Sequence, residues 1–288
     1  TRRSSDLENQ YICSELKILP KIEHFEIIPK GICKIVSNSI IKIKKHSQNN
    51  LKKPSNTYLY QIIEKAVFKR IVDIKDYKIG VFLSGGLDSA IVAFLASKLF
   101  PNSHIYFYSI SDPIHPDYEY IKIMHKALKL SNNTLTMIDI PQEKEFISIV
   151  KNVVYHTESY NPSIISNGIG TYLLSKQANK DGIKVVLTGD GADEMFMGYY
   201  NQQTLKKDTS WKTLHQSLIN DLTTTELRRI DLAGMANSIE IRCPFLDINL
   251  HDVIYSFQYK DFFGDNKDTL NKNVLRKIFE HDLPQEKY

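Results

Sequence analysis

Val81-Phe-Leu-Ser-Gly-Gly-Leu-Asp-Ser89 is the stretch whose reading decides the fold. An apolar run, Ile79 to Leu83, stops at Ser84-Gly85-Gly86, and a small, apolar segment, Ala90 to Leu99, follows at once. That order predicts a buried strand, a tight turn and the start of a helix. Two glycines let the backbone approach a ligand closely and take up positive φ. Ser84 and Ser89 add hydroxyls, and a helix N-terminus presents unpaired N–H groups with partial positive charge. Together they suit a phosphate. Asp88 would repel that phosphate unless a metal cation sat between them, so the segment points to a nucleotide phosphate with Mg²⁺. The plain alternative is an ordinary strand–helix turn in which Asp88 only caps the helix.

Working outward, Leu59, Ile62, Ile63, Ala66 and Val67 recur at helical spacing and predict an amphipathic helix over 58–72. Beyond strand 79–83 and helix 88–99, the pattern predicts strand 104–110, helix 117–130, strand 134–139, helices 143–156 and 167–180, and strand 183–187. Alternating β and α elements imply an α/β fold, a parallel sheet with helices on both faces. After Tyr200 strand signals mostly vanish and a helical C-terminal part is expected. Before residue 58, residues 11–35 hold apolar clusters too small for an independent core, and the polar, Lys/Asn/Ser-rich stretch that follows reads as a linker.

Ligands of parallel α/β sheets bind at the carboxyl ends of strands. One such end carries Ser84–Ser89. A second carries Thr188-Gly-Asp-Gly-Ala-Asp-Glu194, after the apolar run Ile183 to Leu187. Two glycines and three carboxylates there suit a metal–phosphate site, and the pairing with the first string favours that over a solvated acidic turn. A third string, Glu240-Ile-Arg-Cys-Pro-Phe-Leu-Asp247, alternates charged and apolar residues; it reads as a short strand or extended loop, with a surface salt bridge between Glu240 and Arg242 as the plain alternative.

Composition bounds the rest. The chain has 288 residues, 42% hydrophobic and 24% charged, an ordinary globular balance. A net charge of +4 is too mild to argue for nucleic acid, and no apolar run is long enough for a membrane span. Cys13, Cys33 and Cys243 lack metal-ligand spacing and cannot all pair with one another, so a reducing cytoplasm is the expected setting.

The string SGGLDS at 84–89 resembles the SGGxDS signature of the PP-loop ATP pyrophosphatases, which cleave ATP between the α and β phosphates to adenylate a substrate. Together with LTGDGADEMFMGYY at 187–200, DLAGMANSIEIRCPFLD at 231–247 and NKNVLRKIFEHDLP at 271–284, it resembles the synthetase domain of the glutamine-dependent asparagine synthetase family. The likeness spans 58–288. The head is similar to the end of that family's glutaminase domain through Cys13–Leu19 and Ile28–Gly31, which implies a residual glutaminase-like end at 1–35, a linker at 36–57 and the ATP-binding synthetase domain at 58–288.

The resemblance implies ATP and Mg²⁺ as cofactors, with the adenine by Leu83 and Ile110. Ser84, Gly85, Gly86, Asp88, Ser89 and Gly189 would bind ATP or its pyrophosphate. Asp88 and Asp193 would hold the metal. Asp190 and Glu240 are the expected catalytic residues, Arg242 would order the region, and Lys272 would approach the nucleotide. A small-molecule carboxylate, aspartate first, would be adenylated and take up ammonia, supplied by a glutaminase domain or subunit. A homodimer is the expected assembly, with no nucleic-acid or membrane partner.

Three departures keep alternatives open. The chain carries no N-terminal Cys that matches the family's glutaminase nucleophile, and it stops at Tyr288, before the position of the family's R-x-K lysine, so it is expected to be a piece of something longer. Asp190 stands where the family usually has Glu, and Met197 where it has Gly. Amide formation on another acceptor, by β-lactam or lasso-peptide cyclisation or by sugar or peptide amidation, is the second reading. A nucleotide-binding module without turnover is the third.

Overall fold

The computed structural model describes residues 5–7, 10–12, 34–36, 39–41, 52–74, 76–100, 104–128, 135–199, 210–264 and 270–283. The chain divides into two compact units, Thr1–Asn50 and Leu51–Tyr288. In the first unit, β1 (Ser5–Leu7) pairs antiparallel with β2 (Gln10–Ile12), and β3 (Lys34–Val36) with β4 (Ser39–Ile41). Strand β4 falls inside the stretch the sequence reads as linker, because Ile40 and Ile41 supply β propensity amid the lysines and serines. Cys13, Cys33 and the two head segments lie outside the described residues.

The second unit opens with α1 (Asn56–Lys69), capped by Ser55, whose side chain accepts a bond from the Tyr58 N–H at 3.2 Å. Then come β5 (Ile79–Phe82), α2 (Leu87–Leu99), β6 (Ile105–Ile110), α3 (Pro116–Ala127), β7 (Leu135–Ile138), α4 (Glu143–Thr157), α5 (Pro162–Lys180) and β8 (Val185–Leu187). These match the alternation expected from the sequence, with one difference. Helix α5 starts five residues before the expected 167, because Asn161 caps it through Ser163 N at 2.9 Å and Pro162 occupies its first turn. After it follow α6 (Ala192–Phe196), α7 (Ser210–Asp221), α8 (Glu226–Met235), β9 (Glu240–Arg242), α9 (Ile248–Ile254), α10 (Tyr259–Phe263) and α11 (Asn273–Ile278).

Five strands form one sheet in the order β7-β6-β5-β8-β9, every neighbouring pair parallel. The period of two splits its side chains between two cores. Ile79, Val81, Ile105, Phe107 and Leu187 join α1, α2 and the C-terminal helices in the larger one. Phe82, Tyr108 and Val186 face Ala178 of α5 on the other side. Helix α2 is buried on most of its circumference, as its nearly unbroken apolar sequence requires. The chain leaves β5 toward β6 on one side and returns to β8 on the other. The carboxyl ends of β5 and β8 therefore flank a topological switch point, where such sheets form a crevice.

One buried carboxylate ties the C-terminal helices to α1. Asp247 is 3% exposed; it accepts bonds from Lys69 Nζ at 3.1 Å and from Arg70 Nη1, and it caps α9 through Asn249 N at 3.0 Å. Burial by itself would raise its pKa, but Arg70, the Asn249 N–H and Lys69 outweigh it and hold the carboxyl below the usual range. Its stabilisation is thus present above the ordinary carboxylate pKa and disappears as pH falls through the lower, folded-state value. Asp247→Ala is expected to cost about 3 kcal/mol in denaturant unfolding, the low end for a broken buried ion pair because Lys69 and Arg70 are partly exposed. A loss below about 0.5 kcal/mol, the scale of neutral surface changes, would show that the clamp is idle.

Candidate functional site

At the end of β5 the backbone turns through Gly85 at φ 75° and enters α2 at Gly86, a cap without a side-chain hydrogen bond. The helix N-terminus is left open toward the switch-point crevice. The turn is braced internally: Ser84 N donates to Ser89 Oγ at 3.2 Å, Ser89 Oγ donates to Gly86 O at 3.0 Å, and the two serine hydroxyls lie 3.0 Å apart. Beside it, the loop after β8 packs directly on the first turn of α2. A Cβ on Gly189 would lie 2.7 Å from Ser89 N, so no larger residue fits without a backbone shift. Gly191, at φ 92°, then starts the short helix that carries Asp193 and Glu194.

These loops bring Asp88 and Asp193 to one ammonium. Lys272 Nζ bonds Asp88 Oδ2 and lies 2.6 Å from Asp193 Oδ1. The lysine is 6% exposed and sits in the left-handed region, φ 55°, ahead of α11. Burial pushes the Asp88 carboxyl up to about 6 against the pull of Lys272, and Asp193 pushes the same way. Burial also works against the Lys272 ammonium, but Asp88 and Asp193 outweigh it and keep its pKa above the ordinary lysine value. The second oxygen of Asp88, Oδ1, is buried without a hydrogen-bond partner among the described residues.

A cavity of about 680 Å³ opens over these groups. Ser84, Gly86, Asp88, Ser89, Ile110 and Gly189 line it, as do Asp190 and Asp193. Leu83 and Gly85 do not: Leu83 is 1% exposed, its N–H continuing the ladder to Tyr108 O at 2.9 Å and its carbonyl accepting from the Ser109 hydroxyl. Glu240 is not brought to the cavity either. It opens β9 in register with Val185, two residues behind the strand ends, and its exposed carboxylate accepts a 2.9 Å bond from Arg242 Nε. Arg242 reaches on to Asp73 at 2.9 Å and to the Arg70 carbonyl at 2.6 Å, tying the edge strand to the end of α1.

Asp190 is engaged through both oxygens. Arg229 Nη2 donates to Oδ1 at 2.7 Å and the Thr188 hydroxyl to Oδ2. Arg229 is nearly buried and also binds Glu226 and, at 3.0 Å, Thr171 Oγ1. Sequence reasoning missed this residue; the only hint was Glu226 three positions earlier, helical spacing for an ion pair. Next to it, Tyr199 donates to Glu194 Oε1 at 2.5 Å, while Glu194 Oε2 is buried without a partner among the described residues. Burial, chiefly, raises the pKa of Glu194.

Two acid-bearing strand-end loops meeting at an uncapped helix N-terminus are the geometry expected from the sequence motifs. The asparagine synthase family model matches residues 59–221 and 202–288. The chain belongs to the asparagine synthase family. Among similar proteins, a Methanocaldococcus jannaschii protein that bears the asparagine synthetase [glutamine-hydrolyzing] name is 31% identical over 88% of this chain and 44% of its own length. Asparagine synthetase [glutamine-hydrolyzing] 2 of Lotus japonicus is 28% identical over 94% of this chain and 48% of its own. Asparagine synthetase B [glutamine-hydrolyzing] of Escherichia coli is 29% identical over 78% and 42%. The chain therefore spans under half the length of these members of the asparagine synthase family. No helix among the described residues is long and apolar enough to cross a membrane.

The acidic loop is supported from behind by His215, 4% exposed, whose Nε2 donates to Met195 O at 3.0 Å. Burial, the main influence, lowers its pKa from 6.5 to about 4. The unfolded chain therefore takes up a proton below pH 6.5 that the folded chain refuses until about 4. Stability should fall by roughly 2–3 kcal/mol between pH 7 and 4.5 on this account alone, at about 1.4 kcal/mol per pKa unit. His215→Gln, which keeps a donor for Met195 O, should flatten that part of the profile when unfolding free energy is measured at both pH values. An unchanged slope would remove His215 as its source.

Proposed function

We propose that the chain is the synthetase part of an ATP-dependent amide-forming ligase, which adenylates a small carboxylate, aspartate first, releases pyrophosphate and AMP, and joins ammonia to the activated carbon. The observation that carries the reading is the convergence of Asp88 and Asp193, from neighbouring strand ends, beside the uncapped N-terminus of α2. Two half-buried carboxylates next to an anion site call for a cation between them and the anion. The residues present fit Mg²⁺ with a nucleotide polyphosphate. Asp88 Oδ1 is a buried acceptor without a partner among the described residues, both acids already face one cation, and the Gly86 cap puts no side chain over the helix end.

In this reading the Ser84–Ser89 turn and the first N–H groups of α2 hold phosphate oxygens, and Asp88 and Asp193 hold the metal. Bound there, the metal–nucleotide pair supplies an electrophilic phosphorus and a good leaving group. Phe82, Ile110 and Leu174 give the cavity its apolar wall, fit for a base. Asp190 lines the cavity and acts by holding Arg229 at its wall, through the bond that Arg229 donates to Oδ1. Ammonia from a glutaminase domain or subunit fits the glutamine-hydrolysing names that the relatives carry.

A second reading, an acceptor other than aspartate, is favoured by one observation: Asp190 and Arg229 form a closed pair with Glu226 and Thr171. The test is formation of AMP and pyrophosphate from ATP with Mg²⁺ and ammonium, for aspartate and for a panel of other carboxylates. Asp88→Asn and Asp193→Asn should each lower AMP formation by about 10²-fold or more, the scale of a lost electrostatic contact to the reacting group. Asp190→Asn should raise the KM for the acceptor and leave that for ATP nearly unchanged. AMP formation that is indifferent to Asp88 and Asp193 would defeat the proposal.

A further inference from the structure

The Lys272 contact has a consequence for how the acid pair takes up metal, and it rests on the nucleotide-binding reading above. Asp88 and Asp193 are two like charges at close quarters, Asp88 with one oxygen buried, and such a pair stays ionised only with a cation beside it. That cation is already part of the chain. Lys272 Nζ touches both carboxylates. The fit is built. A Cβ on Gly198 would overlap both Asp193 Oδ1 and Lys272 Cε, so only glycine at 198 lets the lysine stem lie against the acid. Asn271 donates to the Gly198 carbonyl, and Arg276 Nε donates to the Asn271 carbonyl at 2.7 Å, which fixes the segment on either side of the lysine. The backbone of Lys272 pays for the placement by lying at φ 55°.

We propose that Lys272 is the resident counter-ion of the Asp88–Asp193 pair, and that it makes metal uptake depend on the nucleotide. A divalent ion must displace the ammonium to reach both carboxylates. Two acids with one lysine carry a net charge of −1; adding a divalent ion brings the group to +1 and leaves a buried ammonium without an acceptor. Leaving one charge of a buried pair unpaired is strongly unfavourable. A polyphosphate removes the obstacle, because its oxygens offer the displaced ammonium new acceptors. Metal and nucleotide then enter as one unit, and the lysine moves from carboxylates to phosphate. Lys272 acts as a positioning residue, one that holds the two acids in place and makes the metal enter with the nucleotide.

The experiment is a titration of the 288-residue chain with Mn²⁺ alone and with Mn²⁺ plus ATP, read by the electron paramagnetic resonance of free Mn²⁺, with no turnover required. Asp193→Asn identifies the signal that belongs to the pair. In the unaltered chain, ATP should tighten Mn²⁺ binding at the pair at least about 100-fold, or about 2.7 kcal/mol, and Mn²⁺ alone should bind barely at all. In Lys272→Met, Mn²⁺ alone should bind at least about tenfold tighter than in the unaltered chain, and the effect of ATP should shrink. Lys272→Arg, which keeps a cation, should still exclude the metal. The proposal is overturned if the unaltered chain binds Mn²⁺ alone, in an Asp193-dependent way, as tightly as with ATP, or if Lys272→Met gains nothing. The unaltered chain alone decides the matter should Lys272→Met fail to fold. A gain in metal affinity in Lys272→Met with no ATP binding by any variant would instead keep the resident cation and defeat the nucleotide reading.

Discussion

Two carboxylates from separate loops, Asp88 and Asp193, share one buried ammonium, and most of the second unit is arranged so that they can. Each acid sits just past the carboxyl end of a strand, one on the first turn of α2 and the other on α6. Those strands, β5 and β8, are neighbours only because the chain reverses its winding direction between them. The cation comes from residue 272, far along the chain, and reaches the pair because the C-terminal helices fold back over the larger core. An interaction that costs desolvation on three charged groups is weak evidence for stability. It is better explained by a site that needs its acids held close and charged.

The cavity follows from the same arrangement. The switch point leaves room between the β5 and β8 loops, the serine-braced turn keeps the N–H groups of α2 free, and Gly189 allows the second loop to close against them. On the far wall, Arg229 is held by Asp190, Glu226 and Thr171. Under the proposed function, phosphate-facing and acceptor-facing chemistry would be built from different elements, α2 and α6 on one side and α8 on the other. Changes in acceptor preference could then accumulate on α8 without touching the proposed metal and phosphate groups.

Much of this was legible in the sequence. The apolar runs at 79–83 and 183–187, each ending in a glycine-rich polar string, announced the two central strands and their loops, and the alternation around them announced the parallel sheet. The start of α5 was missed because the Asn161-Pro162 cap signal stands ahead of the periodic residues. Strand β9 stayed ambiguous because three residues carry too little pattern, and Glu240 was read as a site residue where the fold turns it to solvent beside Arg242. Arg229 carried only the weak hint of Glu226 three positions earlier, because an arginine in a helix has no motif and its other two partners lie 39 and 58 positions away in the chain. Long-range pairing of this kind is a product of packing, and no local pattern encodes it.

The most direct test of the central claim is a crystal structure of the chain with Mn²⁺ and a non-hydrolysable ATP analogue, located by anomalous scattering. One metal peak is expected within about 2.2 Å of a carboxylate oxygen from each of Asp88 and Asp193, with phosphates on the N-terminus of α2 and Lys272 Nζ moved onto a phosphate oxygen. A bound nucleotide with Lys272 still between the two acids, or a metal that touches neither carboxylate, would contradict it.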